Sequence, residues 1–394
     1  MSTLVIKPRA RLFHGHEWVY ATEVQRVLGD PQPGAVVQLQ NVKNRPLGSA
    51  IYNPHSQIVA RRFSRRKQDL DADFFQRRIE RALTLREAMG FSEPVYRLVW
   101  SEADGLPGLV IDRYGPHFVL QTLTMAMDQR KKLIVKGLNA VFQPKSIIER
   151  NDSPIRKAEG LEAVTGVLHG ASPGPLEIEV LGVRQTVDLL EGQKTGIYLD
   201  QIDNYAAVAA LAKGARVLDC FCNQGGFALH CARAGAASVT AVDSSESAIA
   251  TARVNAAANG LTIDFVAANA FDLLKKAESA LSPGEEGPYD LIVLDPPSFT
   301  RNRKSLNDAL RGYKEIHLRA LKLLARDGIL ATFCCSHHVS RGEFLQVLCD
   351  ASVDAKQTVR LLATHGQRRD HPVIPTLPET EYLKGHTVQA MAGW

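Results

Sequence analysis

The stretch Val217-Leu218-Asp219-Cys220-Phe221-Cys222-Asn223-Gln224-Gly225-Gly226-Phe227 decides the fold. An apolar run ends in an acid, two glycines follow, and an apolar helical pattern opens at once. That order is a buried strand (216–221), a tight turn and a helix (227–234). Downstream the alternation repeats. A strand at 238–243 ends in Asp243, and a helix at 247–259 is ended by Gly260 as a C-cap. Further strands are expected at 262–267, 290–295 and 328–334, with a long helix at 308–325 before the last. Alternation at this spacing predicts an α/β domain, a mostly parallel sheet with helices on both faces. Ligands of such sheets bind beyond the C-terminal ends of the strands, so the strand ends are where chemistry is expected.

Upstream the pattern differs. Residues 1–68 hold short β-like runs (35–40, 48–52, 57–62) broken by Pro31, Pro33-Gly34, Pro46 and Asn53-Pro54, which predicts a small β-barrel or sheet. A helix opens at 69–73, with Phe75, Ile79, Ala82 and Leu83 on one face and Arg77, Arg78, Arg81 and Arg86 mostly off it. Strands at 97–100, 109–112, 118–123 and 146–150 and a helix near 128–141 make 69–185 an α+β middle domain, with 166–175 as a Gly/Pro linker and the α/β domain over 186–394. No internal repeat is evident.

The 394 residues carry a net charge of +5, but unevenly. Residues 1–67 contain eleven Lys/Arg against three Asp/Glu, so the rest of the chain is net negative. The densest stretch is Arg61-Arg62-Phe63-Ser64-Arg65-Arg66-Lys67, and such asymmetry in one small segment points to a polyanion, nucleic acid above all, over a merely solvated basic face. No apolar run approaches the ~18–20 residues of a membrane span, and the N-terminus breaks into charge and proline before a signal-peptide core, so a cytoplasmic protein is expected. The six cysteines all lie beyond residue 219, and reduced thiols are expected.

Three strand ends carry the chemical content. At the first, Gly225-Gly226 lets a ligand approach the backbone at a helix N-terminus. Asp243, ending the next strand, can accept both hydroxyls of a ribose, so an adenosine-containing cofactor is expected, and the absent G-x-G-x-x-G spacing argues against NAD. The fourth end reads Asp295-Pro296-Pro297-Ser298-Phe299. Two prolines fix the turn and hold the acid at the sheet edge, as a platform for a planar base. The fifth end reads Cys334-Cys335-Ser336-His337-His338. Buried small hydrophobes account for Cys220, Cys222, Cys231, Cys334 and Cys349, whereas Cys335, at the edge near Asp295, is placed to be a nucleophile. Adjacent Cys-Cys and His-His do not converge easily on one ion, so no metal is expected.

With these ends in hand, the chain resembles the S-adenosylmethionine-dependent large-subunit ribosomal RNA methyltransferases of the RlmI type, a PUA domain joined to a class I methyltransferase. The likeness runs through Ser101-Glu-Ala-Asp104-Gly105-Leu106-Pro107-Gly108, Lys194-Thr195-Gly196-Ile-Tyr198-Leu199-Asp200-Gln201, Asp295-Pro-Pro-Ser-Phe299, Arg311-Gly312-Tyr313-Lys314, Cys335-Ser336, His371-Pro372-Val373-Ile374 and Tyr382-Leu383-Lys384-Gly385. It implies methylation of cytosine C5. C5 is too weak a nucleophile until a thiolate adds at C6, and Cys335 would be that thiolate, with Asp295 on the N3 edge. The S-adenosylmethionine site would comprise Asp219, Phe221, Gly225, Gly226, Phe227, Asp243, Ser244, Asn269, Ala270 and Asp295, with Tyr198 and Gln201 from the preceding segment. Pro296, Pro297, Phe299 and Lys194 would meet the substrate, and Arg61, Arg62, Arg65, Arg66 and Lys67 would grip ribosomal RNA through phosphates. Ile202 stands where the family usually has Arg, and Asn269 where it often has Asp. The family's members are often homodimers. Two other functions compete. A guanine-nitrogen RNA methyltransferase shares a very similar Asp-Pro-Pro-x-Phe turn and needs no cysteine, and a non-catalytic RNA-binding or assembly factor needs no cofactor.

Overall fold

A computed structural model describes residues 2–91, 94–192, 196–282, 284–300 and 303–391. By internal packing the chain divides into two units. The first comprises Met1–Leu176, Val187–Leu199 and Arg369–Thr380, the second Glu177–Thr186, Asp200–Arg368 and Glu381–Trp394.

The first unit opens with a six-stranded sheet. Its strands Val36–Asn41, Pro46–Tyr52 and Ala60–Ser64 are the three short runs legible in the sequence. Thr3–Ile6, Trp18–Val19 and Val24–Leu28 join them; the last exposes four of its five residues, so it carries no apolar alternation to read. The helix Ala72–Ala88 starts where Asp71 accepts from the Phe74 amide, an N-cap. Its buried face is Phe74, Phe75, Ile79, Ala82 and, against the expected pattern, Arg86. Arg86 Nη1 and Nη2 clasp the Asp104 carboxylate at 2.5 and 2.9 Å, Nη2 also donates to Asp370 O and Nε to Arg97 O, so the guanidinium is neutralised inside the fold. Beside this helix lie Lys131–Phe142 and a five-stranded sheet of Val95–Trp100, Leu109–Tyr114, His117–Thr122, Ser146–Asn151 and Val164–Gly170. The last strand corrects the expected linker. Residues 166–170 pair with Ser146–Glu149, and their glycines are tolerated because this is a largely exposed edge strand.

The second unit is built on a seven-stranded sheet. Its strands in chain order are Arg216–Cys220, Ser238–Asp243, Asp264–Ala267, Tyr289–Leu294, Leu324–Cys334, Val359–Gly366 and Lys384–Ala390, hereafter the first to the seventh. In space they run third, second, first, fourth, fifth, seventh, sixth. The first five are mutually parallel and the seventh is antiparallel to the fifth and sixth. Alternation along the strands sorts the two faces. Leu218, Cys220, Ile292, Leu294, Leu330 and Cys334 share a core with Leu274, Tyr313, Ile316, Phe344 and Leu348 of the helices Ala270–Ala280, Leu306–Leu323 and Arg341–Asp354. Asp219 and Phe333, out of phase with them, meet the helix Gly226–Arg233 instead. The sequence anticipated the parallel strands but not the sixth and seventh, which follow a helix and pair backwards. No helix among the described residues is long and apolar enough to cross a membrane.

Candidate active site at the strand ends

Parallel register brings the expected ends to one edge of the sheet. Cys220 lies opposite Val242 and Leu294, and Leu294 opposite Thr332, so Phe221, Asp243, Asp295 and Cys335 follow at neighbouring strand termini. The turn after the first strand is left-handed at Phe221 (φ 65°), Asn223 (φ 48°) and Gly225 (φ 87°). Two non-glycine residues in that region store local strain, which clusters where a backbone is shaped for a ligand. Gly226 serves differently. A Cβ there would stand 2.5 Å from Tyr205 Cζ, so its smallness admits a neighbouring ring. Phe227 is likewise turned into the core, edge-on to Tyr205 and stacked on Phe333, and Ala270 is buried beneath its helix. Both side chains lie on the buried faces of their helices, which leaves only their backbone for the expected cofactor contact.

The carboxylates divide the work. Asp219 is fully buried, and its Oδ2 accepts from the Ala228 amide at 2.9 Å while Oδ1 has no partner among the described residues. Burial pushes its carboxyl well above the ordinary range, and the negative neighbours Asp295 and Asp243 push the same way against the Ala228 amide. Asp243 is half-buried, with Oδ2 accepting from the Asn223 amide and Oδ1 from that of Ser245, both at 2.9 Å. These bonds tie the first turn to the second strand and leave each oxygen a further lone pair. Ser244 is exposed beside it. Asn269 Oδ1 is committed to capping its own helix, accepting from the Phe271 amide at 2.9 Å. Gln201, 2 % exposed, donates from Nε2 to Asp295 Oδ2 at 3.0 Å and is itself held by Asn204. Gln201 thus orients the acid of the fourth end. Ile202, next to it, is buried in the first turn of its helix. Tyr198 belongs to the first unit, and Lys194 lies outside the described residues.

Cys335 is half-buried, and its Sγ donates to Pro296 O at 3.8 Å, so the thiol faces the Asp295-Pro296-Pro297 turn. Pro296 is buried and Pro297 exposed. Two residues that sequence reasoning quoted without a role lock this arrangement. Ser336 Oγ, wholly buried, accepts from the Phe299 amide at 3.2 Å and bonds Ser298 Oγ at 3.1 Å and the Tyr313 hydroxyl at 3.0 Å. Lys384, 3 % exposed, lies opposite Cys334 on the seventh strand and donates to Ser336 O at 2.9 Å. Burial lowers its pKa while Cys334, Glu381 and Cys335 raise it, so a cation stands within electrostatic reach of the thiols. Phe299 is half-buried in an aromatic chain, with ring centroids 5.7 Å from Phe271 and 4.5 Å from Tyr313, and Phe271 in turn is 6.1 Å from Phe221. Cys220, Cys222, Cys231 and Cys334 are buried, and burial pushes each thiol up. Cys349 is exposed, contrary to expectation, on the outward side of the helix that buries Phe344 and Leu348.

The basic stretch is also sorted. Arg61 is 12 % exposed, bonded to Glu102 at 2.8 Å and stacked over Trp18; Arg62 is 8 % exposed and clasps Glu17 at 2.6 and 3.0 Å. Both are spent on internal acids, which removes them from the expected phosphate grip. Arg65, Arg66 and Lys67 are exposed.

A doubly wound sheet with acids at its strand ends, a left-handed glycine turn and a thiol beside a proline-fixed acid forms an α/β strand-end site able to take a ligand with positive charge and hydroxyl donors. In agreement, the family model of S-adenosylmethionine-dependent methyltransferases matches residues 162–360, and that of PUA-like domains matches 5–65. The chain is therefore an S-adenosylmethionine-dependent methyltransferase with a PUA-like N-terminal domain. It is 42 % identical over 378 residues, 94 % of each chain, to ribosomal RNA large subunit methyltransferase I of Shewanella denitrificans, and 38 % identical over 394 residues, 98 % of each chain, to that of Photobacterium profundum. By these measures the chain belongs to the ribosomal RNA large subunit methyltransferase I family. A solved methyltransferase structure complexed with SAH shares the fold, with a TM-score of 0.85 at 23 % identity over 99 % of this chain and 100 % of that one. The donor fits the residues present. The buried Asp219 Oδ1, without a partner among the described residues, and the carboxylates of Asp243 and Asp295 within electrostatic reach of it suit a ligand that carries positive charge and hydroxyl donors.

Proposed function

We propose that the protein methylates C5 of a cytosine in large-subunit ribosomal RNA through a covalent adduct on Cys335. The observation that carries this is the thiol's position, with Sγ 3.8 Å from Pro296 O and one residue away from Asp295 along the turn. The Cys335 thiolate forms a bond to C6, and Asp295 supports protonation at N3, so the ring electrons collect on C5. S-adenosylmethionine would supply an electrophilic methyl group, which C5 would take as the methyl–sulfonium bond breaks and S-adenosylhomocysteine leaves. Loss of the C5 proton to a base or solvent water then expels the sulfur as thiolate, and return of the N3 proton to Asp295 restores the neutral ring. Asp243 would accept ribose hydroxyls, and the Phe221–Gly225 turn would lie along the donor. The target base must be unstacked to reach the edge of the sheet. Residues 1–68 would bind RNA and 186–394 carry the chemistry, with 69–185 as the α+β middle domain, in a cytoplasmic homodimer.

RNA transcribed with 5-fluorocytidine is the test, because fluorine cannot leave C5 as a proton does. Wild-type protein with the donor should give a denaturant-stable RNA adduct mapped to Cys335. Cys335→Ser should give none and lose methyl transfer while still binding the donor. Full activity in Cys335→Ser overturns the covalent route in favour of attack by a base nitrogen. Failure of the wild-type protein to bind S-adenosylmethionine would leave an RNA-binding factor.

A further inference from the structure

The first unit contains a cavity of about 700 Å³ between the segment 62–68 and the helix Ala72–Ala88. Six arginines line it: Arg62, Arg65 and Arg66 from the segment and Arg77, Arg78 and Arg81 from the helix. Its two acids are already spent. Glu17 is clasped by Arg62 at 2.6 and 3.0 Å, and buried Glu102 accepts from Arg61 at 2.8 Å and Trp18 at 2.6 Å. Arg65 reaches Glu17 only at 3.6 Å and is 75 % exposed. Arg77 pairs with the exposed Asp73. The side chains of Arg66 and Arg81 make no ion pair or hydrogen bond with any described residue.

Arg78 is the preorganised member. Its Nη2 donates to Phe63 O at 3.0 Å and its guanidinium lies 5.2 Å from the Phe74 ring centre. Gly105, left-handed at φ 69°, leaves it room, since a Cβ there would stand 2.9 Å from Nη1. Burial, then the like charges of Arg81 and Arg77, lower its pKa. Four positive charges in excess of the acids therefore share one concave space. Guanidinium forks match phosphate oxygens two at a time, and a volume of several hundred Å³ holds a nucleotide-sized group.

We propose that this cavity is a phosphate-backbone site for the RNA substrate, contacted by Arg66, Arg78 and Arg81. The assignment rests on the RNA-methyltransferase function proposed above, and it adds the helix arginines to the grip while excluding Arg61 and Arg62.

The test uses full-length protein and a large-subunit rRNA transcript, with binding measured from 50 to 300 mM KCl. Arg66→Ala/Arg81→Ala removes two unpartnered side chains, so thermal melting should not change. Arg78→Ala is the second variant. Removing one phosphate-binding arginine should flatten the slope of log affinity against log salt by roughly 0.9. The double variant should therefore flatten it by about 2 and raise the KM for RNA about tenfold, with donor affinity as in wild type. Wild-type affinity and slope in both variants overturn the proposal. So does a loss confined to association with an acidic polypeptide such as polyglutamate. If the wild-type protein itself neither binds nor methylates the transcript, the function proposed above falls; if wild type and variants methylate it equally, only this site falls.

Discussion

Arg86 has no exposed surface, yet it carries a full charge into the first unit's core and finds Asp104 and two carbonyls there. Arg86→Met strands the Asp104 carboxylate, which also accepts from the Trp100 amide. The expected loss is about 3–5 kcal/mol in urea unfolding, and Arg86→Met/Asp104→Leu should recover a good part of it, because an ion pair removed together leaves no unpaired charge. In the second unit Lys384 is the comparable buried cation. Lys384→Met should slow iodoacetamide alkylation of Cys335 several-fold at pH 7, read by peptide mass mapping, while alkylation of exposed Cys349 stays the same. The sequence displayed Arg86 and Lys384 as ordinary charges. Which charge is interior depends on a partner 18 residues away in one case and on an antiparallel neighbour 50 residues away in the other.

Between elements, the site is held by latches that cross from one strand end to the next. Gln201 fixes Asp295, Asp243 fixes the Asn223 amide, and Ser336 gathers Ser298, Phe299 and Tyr313. Ser336→Ala should leave the buried Phe299 amide and Tyr313 hydroxyl short of a partner and loosen the proline turn. The expected result is a kcat/KM for RNA about tenfold lower, equivalent to about 1.4 kcal/mol, with donor affinity unchanged in calorimetry. The strand ends and their residue types were legible, because strand–helix alternation and a Pro-Pro stop are local signals. The latches were not, since each joins residues 20 to 94 positions apart. Gly226 and Phe227 show the same limit. Their spacing marks a strand-to-helix turn, and only the ring of Tyr205 shows that packing also constrains both residue types.

At the scale of the whole molecule, acid should unfold this protein through its buried histidines. His317 is fully buried between helix and sheet, bonded to Thr332, and burial holds its pKa down at about 3; His386 on the seventh strand is held at about 4 by burial and the nearby Arg341 and His365. The unfolded imidazoles take protons near pH 6.5, so below that pH the unfolded state binds more protons and stability falls until the folded pKa is passed. His317 alone should cost about 2 kcal/mol between neutral pH and pH 5. Urea midpoints at pH 7 and pH 5 check this, and His317→Gln should flatten the dependence.

The sequence by itself determined the parallel strand–helix alternation, the acids and thiol at the strand ends and the basic bias of the first 67 residues, because each is a matter of local pattern or composition. Only the tertiary structure decided which arginines stay free for a ligand, which glycine serves packing, and which lysine stands by the thiol. Those outcomes depend on burial and on partners brought together from distant parts of the chain.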